Sequence, residues 1–335
     1  MACKDQGDLP FLAYVDKLMD QLHHNVPKAL REFDAEAIHD ARVATRRLKA
    51  AVDLVQPCLT QNRRKPLEKQ LKKLRKRLGP LRDLDVMIDH LTEIASKPAQ
   101  TAGASWLRDQ LIKCRDEERE ESRNDVAPAD VLAKLGAWWP VRQEIADAHE
   151  AIDSLLAESL HLQLDAFAER ASRAGMSPPH ASNILPEERD PHQLRITGKR
   201  LRYTLELAQE QGHKLPPLVL REFKRMQEAL GTWHDYVVLA GRAMQTSLDQ
   251  SLAYHDLAMQ EKVLDVAAMA VRRAQRELAG FSKLWQQRGE DVARTIREKF
   301  PLTRPVTEPQ TGPGPSDSGE PPTPAPPPPD VASTA

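Results

Sequence analysis

Two segments of the chain carry the same spacing of histidine and basic residues. In each segment a histidine is followed by basic side chains three, seven and ten residues later; they are His39, Arg42, Arg46 and Lys49, then His192, Arg195, Lys199 and Arg202. At about 100° per helical residue, each set falls within an arc of about 80° along about 15 Å of helix. Guanidinium, ammonium and imidazole groups in such a row suit an extended polyanion whose charges repeat regularly. The spacing therefore predicts anion binding.

These segments belong to a longer internal repeat. Residues 38–54 align with residues 191–207, and residues 72–86 then align with residues 224–238, in the same order and at nearly the same offset. A solvated helix face need not repeat its charges at matched positions, so the repeat favours a function for the two basic stripes. If the stripes face each other, they form a groove or channel lined with cations.

The elements that must position the stripes are helices. Residues 1–300 contain 11 glycines and almost no alternating β-branched runs, which predicts an all-α fold. Five glycines stand where a helix is expected to stop: Gly79, Gly136, Gly175, Gly212 and Gly231. The apolar pattern predicts separate helices over 216–230 and 234–250, and over 254–284 and 288–298.

The repeat divides the predicted domain at residues 1–300 into two homologous halves, about 9–175 and 186–298. We expect each half to be a small antiparallel bundle, related to the other by a pseudo-twofold axis. Residues 301–335 hold 12 of the chain's 26 prolines and no aromatic residue. Such a composition cannot bury enough surface to offset its ordering entropy, so we expect a disordered tail.

Composition excludes several classes of protein. With 40% hydrophobic residues the chain can build a core, while its longest apolar run, residues 266–271, is too short to cross a bilayer. The N-terminus lacks the apolar stretch of a signal peptide, and three cysteines provide neither a disulfide framework nor a zinc-binding spacing. We therefore expect a cytoplasmic protein that does not contact a membrane. The net charge of −1 says nothing about partners.

Four motifs resemble the signatures of CHAD domains, the conserved histidine α-helical domains. They are His-x-x-Arg-Val-x-x-Arg-Arg-Leu-Lys at 39–49, Leu-Gly-Pro-Leu-Arg-Asp-Leu-Asp-Val at 78–86, His-x-x-Arg-Ile-x-x-Lys-Arg-Leu-Arg-Tyr at 192–203 and Gln-Glu-Ala-Leu-Gly-Thr-Trp-His-Asp at 227–235. The resemblance implies an all-α fold of two four-helix-bundle-like halves and a basic surface that binds inorganic polyphosphate. It also implies association with polyphosphate granules and contact with other granule proteins. A CYTH triphosphatase domain, to which many members are fused, would need a Glu-x-Glu-x-Lys motif that this sequence lacks.

Carried over residue by residue, the resemblance implies a set of phosphate ligands. They are His39, Arg42, Arg46, Arg47 and Lys49 in the first half and His192, Arg195, Lys199, Arg200 and Arg202 in the second, with Lys72, Lys73, Lys224 and Arg225 as secondary contributors. Asp83 and Asp235 are expected to hold a basic residue or a histidine in place. No metal, cofactor or catalytic residue is expected. Protonation of His39 and His192 predicts an affinity that rises as pH falls from about 7.5 to about 6.

Two other functions remain open. The His-Asp dipeptides at 39–40, 234–235 and 255–256 occur in HD-type metal-dependent phosphohydrolases, although the repeat preserves histidine with arginine or lysine instead. A general polyanion or nucleic-acid binder would use the same cations, but the stripes lack the interleaved aromatic residues that stack on bases, apart from Tyr203. Competition between DNA and polyphosphate at matched charge separates a nucleic-acid binder from a polyphosphate binder, and zinc- or manganese-dependent release of phosphate would support the hydrolase.

Overall fold

The computed structural model describes residues 9–97, 101–123, 127–174, 190–249, 252 and 256–302. Eleven α-helices lie in these residues: α1 Pro10–Arg31, α2 Ala35–Leu54, α3 Gln61–Arg77, α4 Gly79–Ala95, α5 Thr101–Arg123, α6 Pro128–Leu135, α7 Trp138–Asp147, α8 Ile152–Ala174, α9 Pro191–Glu210, α10 Pro217–Ser247 and α11 Leu257–Lys299. The described part of the chain contains no strand, so the all-α prediction is confirmed. None of its helices is long and apolar enough to span a membrane. Apart from Pro301 and Leu302, the predicted tail lies outside the described residues.

Both stripe helices begin at an aspartate. In α2, the Asp34 carboxylate accepts a hydrogen bond from the backbone N–H of Ala37 at 2.7 Å. In α9, Asp190 accepts one from the backbone N–H of His192 at 2.8 Å. These caps satisfy backbone donors that have no partner inside the helix, and their negative charge complements the positive end of the helix dipole. The caps therefore fix where each stripe begins.

The predicted stop at Gly231 is wrong, because α10 continues through it for 31 residues. In the first half the matching segment is interrupted at Leu78, between α3 and α4. Pro80 follows that break, whereas Thr232 occupies the equivalent place in α10. Proline lacks the N–H that a continuous helix requires and its ring clashes with the preceding turn. The predicted break at 285–287 is also absent, because α11 contains no proline that would interrupt it.

The glycine predictions at the other positions have different outcomes. Gly136 follows the end of α6, and Gly212 follows α9 with a φ of 99°, a conformation that favours glycine. Gly79 is the first residue of α4, directly after the break between α3 and α4. Gly175 lies outside the described residues.

Two hydrophobic cores organise the described helices. The first is built by α1, α2, α3 and α6 to α9, with the start of α10 and the end of α11. The second is built by α4 and α5, with the later part of α10 and the earlier part of α11. Each core thus takes helices from both predicted halves, because α10 and α11 are long enough to pass from one core to the other. The pseudo-twofold relation between the halves stays a prediction.

Gly198 allows α9 to pack closely beneath the second stripe. A Cβ atom at this position would overlap the side-chain amide of Gln227 in α10 and would lie 2.8 Å from Cε2 of Phe167 in α8. The repeat has Thr45 at the equivalent place in α2, where the residue is fully buried. Glycine therefore fits the closer helix contact of the second half, although it lowers helix propensity.

Candidate functional site

The fold brings the two basic stripes together, because α2 packs against α9. Arg46 lies at the centre of this arrangement. Burial is the largest cause of the lowered pKa values of four neighbouring cations: Arg42 and Arg75 in the first half, and Arg195 and Lys199 in the second. The charge of Arg46 lowers each of these four pKa values further. We call these five residues the Arg46 cluster. It joins cations that are about 150 residues apart in sequence.

The pKa of Lys199 shows most clearly how burial and neighbouring cations disfavour a positive charge in this cluster. Burial, followed by the charges of Arg195 and Arg46, lowers its pKa from 10.5 to about 7. Desolvation penalises the charged amine, and nearby positive charges penalise it further. A bound anion would offset the repulsion from the neighbouring cations and would therefore stabilise the ammonium form of Lys199, which the free protein disfavours.

The arginines of the cluster are positioned by backbone carbonyls. Arg42 donates from Nη1 to the carbonyl of Arg75 in α3 at 3.2 Å, and Arg75 donates from Nη1 to the carbonyl of Thr45 in α2 at 3.3 Å. These reciprocal bonds fix α2 against α3 and leave further guanidinium N–H groups for a ligand. The sequence pattern did not identify Arg75 as a ligand, because this residue lies on the flank of the apolar face of α3.

Three histidines and Arg82 lie beside the cluster. Burial and then the charge of Arg82 lower the pKa of His39, and burial and then the charge of Arg195 lower the pKa of His234 to about 4. The rings of His192 and His234 lie 5.3 Å apart. Arg82 and His234 are not among the ligands predicted from the sequence. The repeat contained the signal, since these two residues align with each other.

The two predicted positioning aspartates lie beside the cluster. Asp83 Oδ1 is 3.7 Å from Nη2 of Arg42. Asp235 Oδ2 is 3.9 Å from Nε2 of His90, and its charge opposes the lowering of the pKa of both Arg195 and Lys199. The two carboxylates therefore offset part of the repulsion among the basic groups, while their role in orienting those groups stays a prediction. Nothing in this geometry assigns them to a metal.

Several predicted ligands are held by acidic partners. Arg47 donates from Nε to Glu206 of α9 at 2.8 Å, and Arg202 donates to the other oxygen of that carboxylate at 2.9 Å. Lys49 pairs with Asp53 and also lies 3.7 Å from Glu68. These basic groups would have to share or exchange their partners to bind an anion.

The remaining predicted ligands are exposed, and they lie on three different helices. Arg200 is exposed on α9, and Lys224 and Arg225 are exposed on α10, where they form local pairs with Glu228 at 3.7 Å and Glu222 at 3.0 Å. Helix geometry puts Lys72 on the same side of α3 as Arg75. Lys73 lies on the opposite flank and lines a cleft between α3 and α6. The structure does not bring Lys73 to the Arg46 cluster.

The His-Asp dipeptides at 39–40 and 234–235, both within the described residues, do not belong to a metal-binding group. Across the described residues, no set of three or more His, Cys, Asp and Glu side chains is arranged to hold a metal ion. His234 faces Arg195 and Lys199, which would repel a cation. The third dipeptide includes His255, which lies outside the described residues. The donor set around His39 and His234 therefore does not fit a metal-dependent hydrolase.

Comparison with known proteins agrees with this architecture. The profile of the CHAD domain family matches residues 13–244. The crystal structure of the CHAD domain from the plant Ricinus communis is similar, with a TM-score of 0.56 and 22% identity over 91% of this chain and 95% of that one. PptA from Streptomyces chartreusis has a TM-score of 0.56 and 16% identity over 83% of this chain and 98% of its own. No curated protein sequence matches significantly. At these identities the two structures support the fold alone.

Proposed function

This chain belongs to the CHAD domain family, and from that premise we propose that it binds inorganic polyphosphate through the Arg46 cluster. CHAD domains are generally polyphosphate-binding and are not known as catalytic. We propose that the protein acts as a binding module, with His39, His192, His234 and Arg82 at the edge of the bound chain.

The observation that carries this proposal is the meeting of both stripes at Arg46. Five cations within one patch repel each other, and three of them lie on helices from the first half while two come from the second. A ligand with closely spaced negative charges can contact several of them at once. Arginine binds phosphate oxygens through a planar fork, and lysine adds a mobile point charge. Polyphosphate supplies such charges at every unit of its chain.

Calorimetric titration of the purified protein with long-chain polyphosphate tests the function directly. We expect tight binding at low salt that weakens as salt increases, because counterions compete for the same cations. Orthophosphate should bind weakly, since it contacts few of the cations. Equal affinity for duplex DNA at matched charge would show that the protein is a general polyanion binder. Absence of polyphosphate binding would contradict the proposal.

We further propose that polyphosphate binding directs the protein to polyphosphate granules. A fluorescent fusion should then colocalise with granules in cells that accumulate polyphosphate. The Arg46→Ala/Lys199→Ala variant of that fusion should remain diffuse at equal expression. Granule localisation of both fusions would show that another feature targets the protein.

Lys199 makes the binding pH-dependent. In the protein without ligand, Lys199 has a pKa of about 7. A bound polyanion raises this pKa, because the ammonium form is favoured beside negative charge. Affinity should therefore rise as pH falls toward about 7 and level off below the pKa of the free protein. His39 adds a further rise at lower pH, since its own pKa lies below 6.5. The structure thus adds Lys199, with its titration near pH 7, to the histidines of the sequence prediction, and moves the contribution of His39 to lower pH.

Proton uptake during binding measures this effect. At about pH 8, calorimetry in buffers of different ionisation enthalpy should show uptake of close to one proton per bound site. The Lys199→Arg variant keeps the charge but does not titrate in this range, so its uptake should disappear while affinity changes little. Unchanged proton uptake in this variant would assign the titration to another group.

A further inference from the structure

An exposed apolar strip runs along α10 and α11. Val237 and Met244 are seven residues apart in α10, and Leu264 and Val271 have the same separation in α11. Seven residues make about two helical turns, so each pair lies on one side of its helix. All four side chains are exposed, with 52% of Met244 and 43% of Leu264 accessible to solvent. We call these four residues the α10–α11 strip.

The register of the two helices makes the strip continuous. Gln260 of α11 donates from Nε2 to the carbonyl of Ser247 in α10 at 2.8 Å. Because α11 runs antiparallel to α10, Met244 and Leu264 lie about one turn beyond this contact and are level with each other. The other pair of the strip lies seven residues further along both helices, so it is level as well. A continuous apolar surface, unlike single exposed apolar residues, indicates an interaction site.

The strip is turned away from α4 and α5. In α10, Arg242 donates from Nη2 to Sγ of Cys114 in α5 at 3.3 Å. Met244 follows Arg242 by two residues, which places it about 160° away around the helix. In α11, the backbone of Lys262 packs against α5, and Leu264 follows by two residues in the same way. The strip therefore lies on the outer side of the α10–α11 pair.

The charged residues beside the strip follow an ordered pattern along α11. Glu261 and Asp265 are negative at one end of the strip, and Arg272 and Arg276 are positive at the other. All four are exposed and lie within an arc of about 60°. Within the part of the chain that the structure describes, none of the four is in an ion pair. Like charges four residues apart slightly destabilise a helix, so this pattern does not stabilise α11 on its own.

We propose that the α10–α11 strip is the interface of a symmetric homodimer in which the two copies of α11 run antiparallel. A twofold axis near Ala268 brings Leu264 of each copy onto Val271 of the other. The same axis places the two acidic residues of each copy opposite the two arginines of the other. A symmetric interface must be complementary to itself, and a helix that is acidic at one end and basic at the other satisfies this condition when antiparallel. A second copy of this chain therefore matches both the apolar surface and the charges.

Sedimentation equilibrium of the full chain without polyphosphate tests this interface. At low salt, the mean mass should rise from that of one chain toward that of two between about 1 and 200 μM. Met244→Glu/Leu264→Glu should weaken dimerisation by at least about tenfold, because the dimer would bury the added charges against apolar surface. The matched control, Leu162→Glu/Leu218→Glu, adds the same charges at exposed leucines outside the strip. Its dimerisation should change by less than about twofold.

Charge reversal tests the antiparallel arrangement. The variant Glu261→Arg/Asp265→Arg makes the charged row entirely positive, and Arg272→Glu/Arg276→Glu makes it entirely negative. Each variant alone should be monomeric over the same range, because like charges then meet across the twofold axis. An equimolar mixture of the two should form a heterodimer, since each row meets the opposite charge. Sedimentation of the two variants separately and mixed measures this difference.

Three outcomes would overturn the proposal. A wild-type chain that stays monomeric throughout this range would show that the strip is not a dimer interface. Equal losses in the two glutamate variants would show that the dimer forms through another surface. A mixture of the two charge variants that stays monomeric would exclude the antiparallel arrangement. All substituted side chains are exposed, so thermal unfolding should be similar in every variant.

Discussion

An Arg46→Ala variant is expected to bind long-chain polyphosphate at least about tenfold more weakly, and Arg46→Ala/Lys199→Ala about a hundredfold more weakly. Arg46 is the residue whose charge reaches both stripes, since it influences Arg42 and Arg75 as well as Arg195 and Lys199. Its removal therefore separates the cations of the two halves. Calorimetry at constant salt and pH measures the change. Loss of His39 alone should weaken binding less, because its imidazole adds a smaller positive charge near neutral pH.

Arg294→Ala provides the matched control for Arg46. This arginine is exposed near the end of α11 and pairs locally with Asp291, three residues earlier, at 2.6 Å. Its replacement removes the same formal charge from the protein and should leave polyphosphate affinity nearly unchanged. Similar losses in Arg46→Ala and Arg294→Ala would contradict a localised site. The unfolding temperature of each variant should be recorded, so that a loss of binding is not confused with a loss of structure.

A Gly103→Ala variant is expected to be less stable by about 1–3 kcal/mol, which corresponds to a decrease of several degrees in Tm. Gly103 lies in α5 against the backbone of α11. A Cβ atom there would overlap the carbonyl oxygen of Lys262 and would lie 2.7 Å from its carbonyl carbon. Backbone atoms cannot move aside as a flexible side chain can, so α5 and α11 must separate. Thermal and denaturant unfolding of the purified variant measure the effect.

Gly280→Ala is the control for that substitution, with an effect of the opposite sign. Gly280 lies in the interior of α11, and a Cβ atom added there has no neighbour within 4 Å. Alanine should raise the stability of the helix by up to about 1 kcal/mol, because glycine is the poorer helix former. If Gly103→Ala also raised stability, α5 and α11 could not approach as closely as the structure shows.

Local sequence patterns predicted the helical architecture well. The apolar stripe of Leu67, Leu71 and Leu74 is buried as its spacing requires. The spacing of His39, Arg42 and Arg46 matches that of the second half, and this match is sufficient to identify the stripe helices. Such predictions succeed because a helix repeats about every 3.6 residues, so the identity of its faces depends on nearby residues.

Helix continuity was harder to predict. Gly231 resembles a helix end, yet it lies within α10, since glycine permits a helix to end without forcing it to do so. Proline has a stronger effect: Pro80 accompanies the interruption that separates α4 from α3. The difference between the halves thus depended on one residue that the repeat does not preserve.

The sequence by itself determined the fold class, the repeat and the composition of each stripe, because these properties follow from residue spacing along one chain. Only the tertiary structure decided which cations lie together. It placed Arg75 beside Arg46, held Arg47 against Glu206 and turned Lys73 toward α6. These neighbours come from different helices, so their distances depend on how the helices pack. Electrostatic interaction falls with distance and strengthens with burial, and the packing of the helices sets both.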